Sequence, residues 1–252
     1  MYTFMVSPRD RIERISETLL DGDITLEQIE NLENTAEEMN VSALAIRLGG
    51  LGATYPSFVT EYGNLKFTLN AAAEEWLHQY LAFKPLGFRY VLDLLNILPD
   101  ADIATLNETI AGIAAKEIGE KVWDRYYAEY YPPVEEETEN GSGDEEEFDF
   151  NKHMREVRLQ VDAYLAENRI EEAETYMNDQ KDYLLQNGYL VRKLNQAYFA
   201  FYGSYADSPS AVDPIGEQAR TLRAESQSLK EFLDMSSGFT TRSELELSLI
   251  HI

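Results

Sequence analysis

The start of the chain has the apolar pattern of a small sheet. Residues 2–6 are β-forming and are followed by Pro8, which predicts a strand. Residues 41–48 form a nearly continuous apolar run that leads into the glycine-rich stretch 49–56, which predicts a second, buried strand. The glycines permit another part of the chain to approach closely, and a hairpin or bulge at the rim of the sheet is the simpler interpretation.

Most of the remaining pattern has the helical period. Residues 8–20 place Ile12, Ile15 and Leu19 on one face, which predicts a short amphipathic helix. Thr25-x-x-Gln28 has the form of a capping box and predicts a helix over 25–39. Further helices are predicted over residues 69–83, with Thr68 or Asn70 as the cap, 88–98, 101–122, 150–167, 170–186, 190–201 and, as one or two helices, 214–233.

Acidic residues are concentrated between two of these groups of helices. Residues 135–147 carry eight acids around an Asn-Gly-Ser-Gly sequence, which predicts a solvated, disordered linker over 131–149. The stretch lacks the spacing and central glycine of an EF-hand loop, so a calcium site is not favoured. The expected organisation is therefore a mostly helical α+β protein with a first domain over 1–130 and a helical C-terminal subdomain over 150–246.

The composition excludes several functions. With 252 residues and 44% apolar side chains the chain can bury a core, while 21 basic against 46 acidic residues give a net charge of −25. This charge opposes binding to nucleic acid and to anionic membranes. Because there is no cysteine, disulfides and thiolate ligands are excluded, and metal chemistry has to use oxygen and imidazole.

The two ends suggest a fragment with an added tail. We expect the native start to lie upstream, because residues 2–6 begin a strand without any leader sequence. Residues 247–252 match what a transposase sequencing adapter encodes in this frame, so we expect a non-native tail there. Since residues 1–252 contain neither a signal peptide nor an apolar run of about 18 residues, no membrane contact is predicted for this segment. The compartment is not indicated.

Two short motifs carry the candidate chemistry. The first is Glu74-Glu75-x-x-His78 within the helix predicted over 69–83, and the second is Asn107-Glu108-x-x-Ala111 within the helix predicted over 101–122. In a helical zinc-protease motif, two histidines four residues apart lie on one helix face, and the glutamate after the first is the general base. Glu75 and His78 fit this pattern, whereas Glu74 stands where the first histidine is required.

The paired motifs resemble those of the gluzincins, the glutamate-type zincins with a thermolysin-like core, and of a bacterial gluzincin-like family (HExxH…NExxA). The resemblance implies a zincin-like domain that hydrolyses peptide bonds in peptide or protein substrates by a metal-activated water. It implies Glu75 as the catalytic base and His78 and Glu108 as ligands of zinc. In such a fold the glycine-rich stretch 49–56 borders the substrate cleft as an edge strand.

Glu74 departs from this pattern at a metal ligand. A glutamate can still bind metal through oxygen, but one nitrogen and two carboxylates favour manganese, iron or magnesium over zinc, relative to the parent site. The added negative charge also makes a bound water less acidic. The alternative to an active peptidase is therefore a degenerate scaffold that holds a different metal or none, and binds peptide or protein without cleaving it.

Other interpretations of the same residues remain. Glu74 and Glu75 can be exposed acids beside a core histidine, which is the commoner reason for an isolated match. A di-iron carboxylate bundle requires a second Glu-x-x-His pair, and Phe150 precedes His153 where that glutamate is needed. No serine-hydrolase elbow or phosphate loop is present. Gluzincins usually add a downstream oxyanion-stabilising residue, for which the candidates by location are Tyr198, Tyr202 and Tyr205.

Overall fold

The computed structural model describes residues 1–52, 54–60, 64–131, 148–205, 208 and 210–250. This part of the chain is mostly helical with two small sheets, in agreement with the predicted α+β class. The strands are β1 (Tyr2–Pro8), β2 (Ser16–Leu20), β3 (Val41–Arg47), β4 (Gly50–Leu51) and β5 (Phe58–Val59). The helices are α1 (Leu26–Glu38), α2 (Leu65–Ala82), α3 (Pro85–Leu94), α4 (Ala101–Tyr126), α5 (Phe150–Ala166), α6 (Ile170–Gln186), α7 (Gln196–Tyr202), α8 (Ile215–Glu225), α9 (Leu229–Ser236) and α10 (Arg242–Ile250).

The first sheet corrects one prediction. Its order is β2-β1-β3, with both pairs antiparallel, so the helix predicted over 8–20 is wrong. Ile15 and Leu19 have the helical spacing, yet they are 53% and 52% exposed, so this spacing did not mark a buried helix face. Pairing of this segment with β1 instead satisfies backbone groups along the edge of that strand.

Several helix boundaries also differ from their predictions. The capping box of Thr25 is confirmed. Helix α2, however, begins a turn earlier than predicted, because the side chain of Asn64 accepts the N–H of Phe67 at 2.9 Å. Helix α3 begins three residues earlier than predicted, because Pro85 occupies its first turn, where a missing N–H has no cost. Helix α7 starts late because Asn195 caps it, and α10 was not predicted.

Hydrophobic cores join residues from both sides of the predicted linker. One core combines α2, α3 and α4 with α8, α9 and α10, and a second places α7 against β1 and β3. A third lies between α5, α6 and the start of α7. The acidic segment 132–147 lies outside the described residues, whereas residues 247–250 complete α10. None of the described helices is both long enough and apolar enough to span a membrane.

A buried carboxylate ties the sheet to the segment between α6 and α7. Glu33 on α1 is 2% exposed and accepts the N–H of Ala45 at 2.8 Å and the Arg192 guanidinium at 2.9 Å. Burial opposes ionisation of Glu33, but the hydrogen bonds from Arg192 and Ala45 and the charge of Lys193 outweigh it and lower its pKa. Asn195 adds a hydrogen bond to the carbonyl of Ala43 at 2.9 Å.

Helices α2 and α4 run antiparallel at close range. His78 lies beside Glu108, while Asn70, two turns earlier on α2, lies beside Gly119, three turns later on α4. A Cβ at Gly119 would stand 1.8 Å from Oδ1 of Asn70 and 3.3 Å from its Cα. Glycine therefore leaves room for the Asn70 side chain, which a larger residue at position 119 would displace.

We expect Gly119→Ala to lower the free energy of unfolding by about 1–3 kcal/mol, because the new methyl group overpacks the α2–α4 contact. Gly112→Ala on the same helix is the control: nothing lies within 4 Å of its Cβ, so a gain of about 0.5–1 kcal/mol is expected. Urea unfolding measures both variants. Equal effects of the two substitutions would contradict close packing at Gly119.

Glu33→Gln should destabilise the protein by about 2 kcal/mol at pH 7, since it removes charged hydrogen bonds from a buried position. Because the folded pKa of Glu33 is lowered, its contribution is present above the unfolded pKa and is lost as pH falls through the folded value. The loss measured by urea unfolding should therefore shrink towards low pH. Glu38→Gln, which is exposed on the same helix, should change little.

Candidate metal centre

Helices α2 and α4 bring the predicted ligands together. Glu74 and His78 are four residues apart and share a face of α2, and Glu108 faces them from α4. One ligand atom from each of the three residues lies within 4.8 Å of the others. The three predicted ligands therefore converge, and Glu74 is one of them.

The dimensions of this group suit a divalent cation. Ligand atoms about 2.1 Å from a common ion lie at most about 4.2 Å apart. The bound of 4.8 Å on the observed separations is about half an ångström wider than simultaneous contact with one ion requires. The set of one imidazole and two carboxylates matches metals that accept nitrogen and oxygen together.

The imidazole of His78 is held by α4 at both ring nitrogens. Nδ1 lies 3.0 Å from Oδ1 of Asn107, and Nε2 lies 3.5 Å from Oε2 of Glu108. Since Oδ1 accepts, Nδ1 carries a proton and Nε2 is the atom presented to Glu108, as in metal-binding histidines. Burial alone would lower the pKa of His78, but the charges of Glu108, Glu74 and Glu75 outweigh it and raise the pKa to about 9.

Glu108 is the most deeply buried member of the group. It is 8% exposed, and its Oε1 accepts the hydroxyl hydrogen of Tyr90 at 2.5 Å. Burial favours the neutral carboxyl, but His78 and Tyr90 outweigh it and lower the pKa of Glu108. Tyr90 on α3 was not singled out in the sequence, since no motif surrounds it and a helix prediction does not show which helix its side chain contacts.

Glu75 lies against the glycines of β4. A Cβ at Gly50 would stand 2.1 Å from Oε1 of Glu75, and one at Gly52 would stand 2.8 Å from Oε2. The predicted close approach is thus confirmed, and β4 also pairs with β5 as a short hairpin. Burial raises the pKa of Glu75 to about 7; the charge of His78 lowers this pKa and the charge of Glu108 raises it. The N–H of Gly52 donates a hydrogen bond to the Glu75 carboxylate, which also lowers the pKa.

These residues line a cleft of about 1630 Å³. Of the tyrosines proposed for oxyanion stabilisation, Tyr202 and Tyr205 line it, whereas Tyr198 packs in the cores beside α7. Burial and the nearby charge of Glu108 raise the pKa of Tyr205. The cleft also receives Arg14 and Glu17 from the β1–β2 hairpin, which the wrong helix over 8–20 concealed.

Comparison of the chain with protein-family models, with curated proteins and with solved structures finds no match. The functional assignment therefore rests on the residues and geometry of this cleft.

In the metal-free protein, NMR titration should place the pKa of His78 near 9, and Glu108→Gln should lower it markedly, because the nearest opposing charge is lost. A raised histidine pKa means that the pair's contribution to stability is complete below about 6.5 and is lost as pH rises through about 9. Glu120→Gln, which is exposed on α4, should leave the pKa unchanged. An unaltered value in Glu108→Gln would show that another group causes the shift.

Proposed function

We propose that the protein is a metal-dependent endopeptidase of the gluzincin type. The cation ligands are His78, Glu108 and Glu74, and Glu75 is the general base. One observation carries the proposal: the side chains of the two motifs converge in a cleft from antiparallel helices α2 and α4. If the two motifs matched only by chance, their side chains would not be expected to lie close together.

The residues around the ligands suit peptide hydrolysis. A divalent cation at this position supplies Lewis-acid polarisation of the scissile carbonyl and acidifies water. With a pKa of about 7, the carboxyl of Glu75 can accept a proton from water and return it to the departing amine. The hydrogen bond from Gly52 restricts the orientation of that carboxylate.

The short β4–β5 hairpin beside α2 also fits the proposed zincin-like domain. Gly50 and Gly52 bring its backbone against Glu75, at the border of the cleft. The resemblance of the motifs implies an edge strand at the corresponding place in gluzincins. A peptide or protein substrate would then lie along this border, with its scissile bond near Glu75.

The choice of metal follows from Glu74. Two carboxylates and one imidazole form a harder ligand set than two imidazoles and one carboxylate. The preference therefore shifts from zinc towards manganese, iron or magnesium, although zinc stays the reference metal of the motif. A more negative site also acidifies water less, so slower turnover than in the two-histidine form is expected.

A second candidate is a peptide-binding scaffold without peptidase activity. It is favoured by the ion pair between His78 and Glu108, which Asn107 and Tyr90 complete with hydrogen bonds. This arrangement compensates the Glu108 charge with a proton on the imidazole in place of a cation, although Nδ2 of Asn107 is buried without a hydrogen-bond partner. Metal affinity distinguishes the two candidates.

The test measures binding of zinc and manganese by titration and elemental analysis, together with cleavage of a denatured protein substrate. The wild-type chain should bind manganese and cleave slowly, and Glu74→His should bind zinc more tightly and cleave faster. Glu75→Gln should retain metal and lose cleavage by at least about 100-fold, the usual contribution of a general base. A metal-free wild type beside an active Glu74→His would support the scaffold alternative. Absence of binding in both would refute the metal site.

A further inference from the structure

The two carboxylate oxygens of Glu108 have different partners. Oε1 accepts the Tyr90 hydroxyl at 2.5 Å, whereas Oε2 lies 3.5 Å from Nε2 of His78. Glu108 is 8% exposed, so little water reaches either oxygen. The hydrogen bond from Tyr90 therefore distinguishes the oxygen that faces the other ligands from the oxygen that does not.

Tyr90 is placed by its helix and not by Glu108. At the start of α3, the N–H of Leu86 donates to the carbonyl of Ser237 at 3.1 Å, and the Leu86 side chain is fully buried. Near its end, Asp93 is 6% exposed, pairs with the guanidinium of Arg14, and accepts the N–H of Asp100 at 2.9 Å. Tyr90 lies between these two anchors, so its hydroxyl is presented at a defined position.

We propose that Tyr90 is a positioning residue for the metal site, and that it fixes Oε2 of Glu108 as the oxygen offered to the cation. This inference rests on the proposed function. A hydrogen bond to an ionised carboxylate is stronger than a hydrogen bond between neutral groups, so it restrains the orientation of the carboxylate more strongly. Groups that orient metal ligands from behind commonly change metal affinity or activity by 10- to 100-fold when they are removed.

The hydroxyl also reduces the electrostatic cost of the site. Glu74 and Glu75 place two further carboxyl groups around the same cleft. The hydroxyl hydrogen that Tyr90 donates to Oε1 offsets part of the carboxylate charge of Glu108. Without the Tyr90 hydroxyl, Oε1 of Glu108 would be a buried acceptor that has lost its donor. The carboxylate could then rotate, so that either oxygen could face His78.

The experiment compares Tyr90→Phe with the wild type by titration with manganese and with zinc. We expect the affinity to fall about 10- to 100-fold in Tyr90→Phe. Tyr80→Phe is the matched control, because Tyr80 lies on α2 and is stacked on Trp76, at a ring-centroid distance of 5.8 Å. It should bind metal like the wild type. Thermal unfolding in the presence of a chelator measures the stability of each metal-free variant. If Tyr90 has only a structural role, Tyr90→Phe should lower the unfolding temperature without a specific loss of metal affinity.

The same substitution in the Glu74→His protein separates this inference from the proposed function. If Glu74→His binds zinc and the added Tyr90→Phe weakens that binding at least about 10-fold, the positioning role is supported even where the wild type binds weakly. Equal affinity with and without the Tyr90 hydroxyl would overturn the inference and leave the proposed function standing. Failure of both wild type and Glu74→His to bind either metal would overturn both.

Discussion

The close antiparallel packing of α2 against α4 is the contact on which the candidate site depends. Gly119 lets α4 approach Asn70 of α2, and further along the same contact His78 meets Asn107 and Glu108. A methyl group at this glycine would displace the Asn70 side chain and require the Asn70 backbone to give by a few tenths of an ångström. The core that α8, α9 and α10 complete holds this helix pair from the other side.

Electrostatics impose the second constraint. Glu75 and Glu108 are nearly buried carboxylates beside the partly exposed Glu74, an arrangement that costs free energy unless positive charge or hydrogen bonds compensate it. Glu108 is compensated by His78 and Tyr90, and its pKa is lowered, whereas Glu75 is compensated less and its pKa rises to about 7. Two carboxyl groups of the same residue type thus acquire opposite pKa shifts from their surroundings.

The wrong helix over 8–20 and the overlooked Tyr90 have a common origin. The stripe of Ile12, Ile15 and Leu19 satisfies the helical period, but β1 offers the same segment an edge with free backbone groups, so a hairpin forms. That hairpin carries Arg14 into the cleft, where it holds Asp93 and thereby α3. Such long-range contacts leave no periodic signal, and Tyr90 was overlooked for the same reason.

Residue patterns along the chain were enough to predict the mostly helical α+β class, the positions of most helices through their apolar period and caps, and the candidate residues Glu74, Glu75, His78 and Glu108. These features depend on spacing along one element, which a chain records directly. The tertiary structure alone decided that α2 and α4 face each other, that Tyr90 donates to Glu108, and that Gly50 and Gly52 press against Glu75. Those contacts join residues far apart in the chain, and the packing of the whole protein selects them.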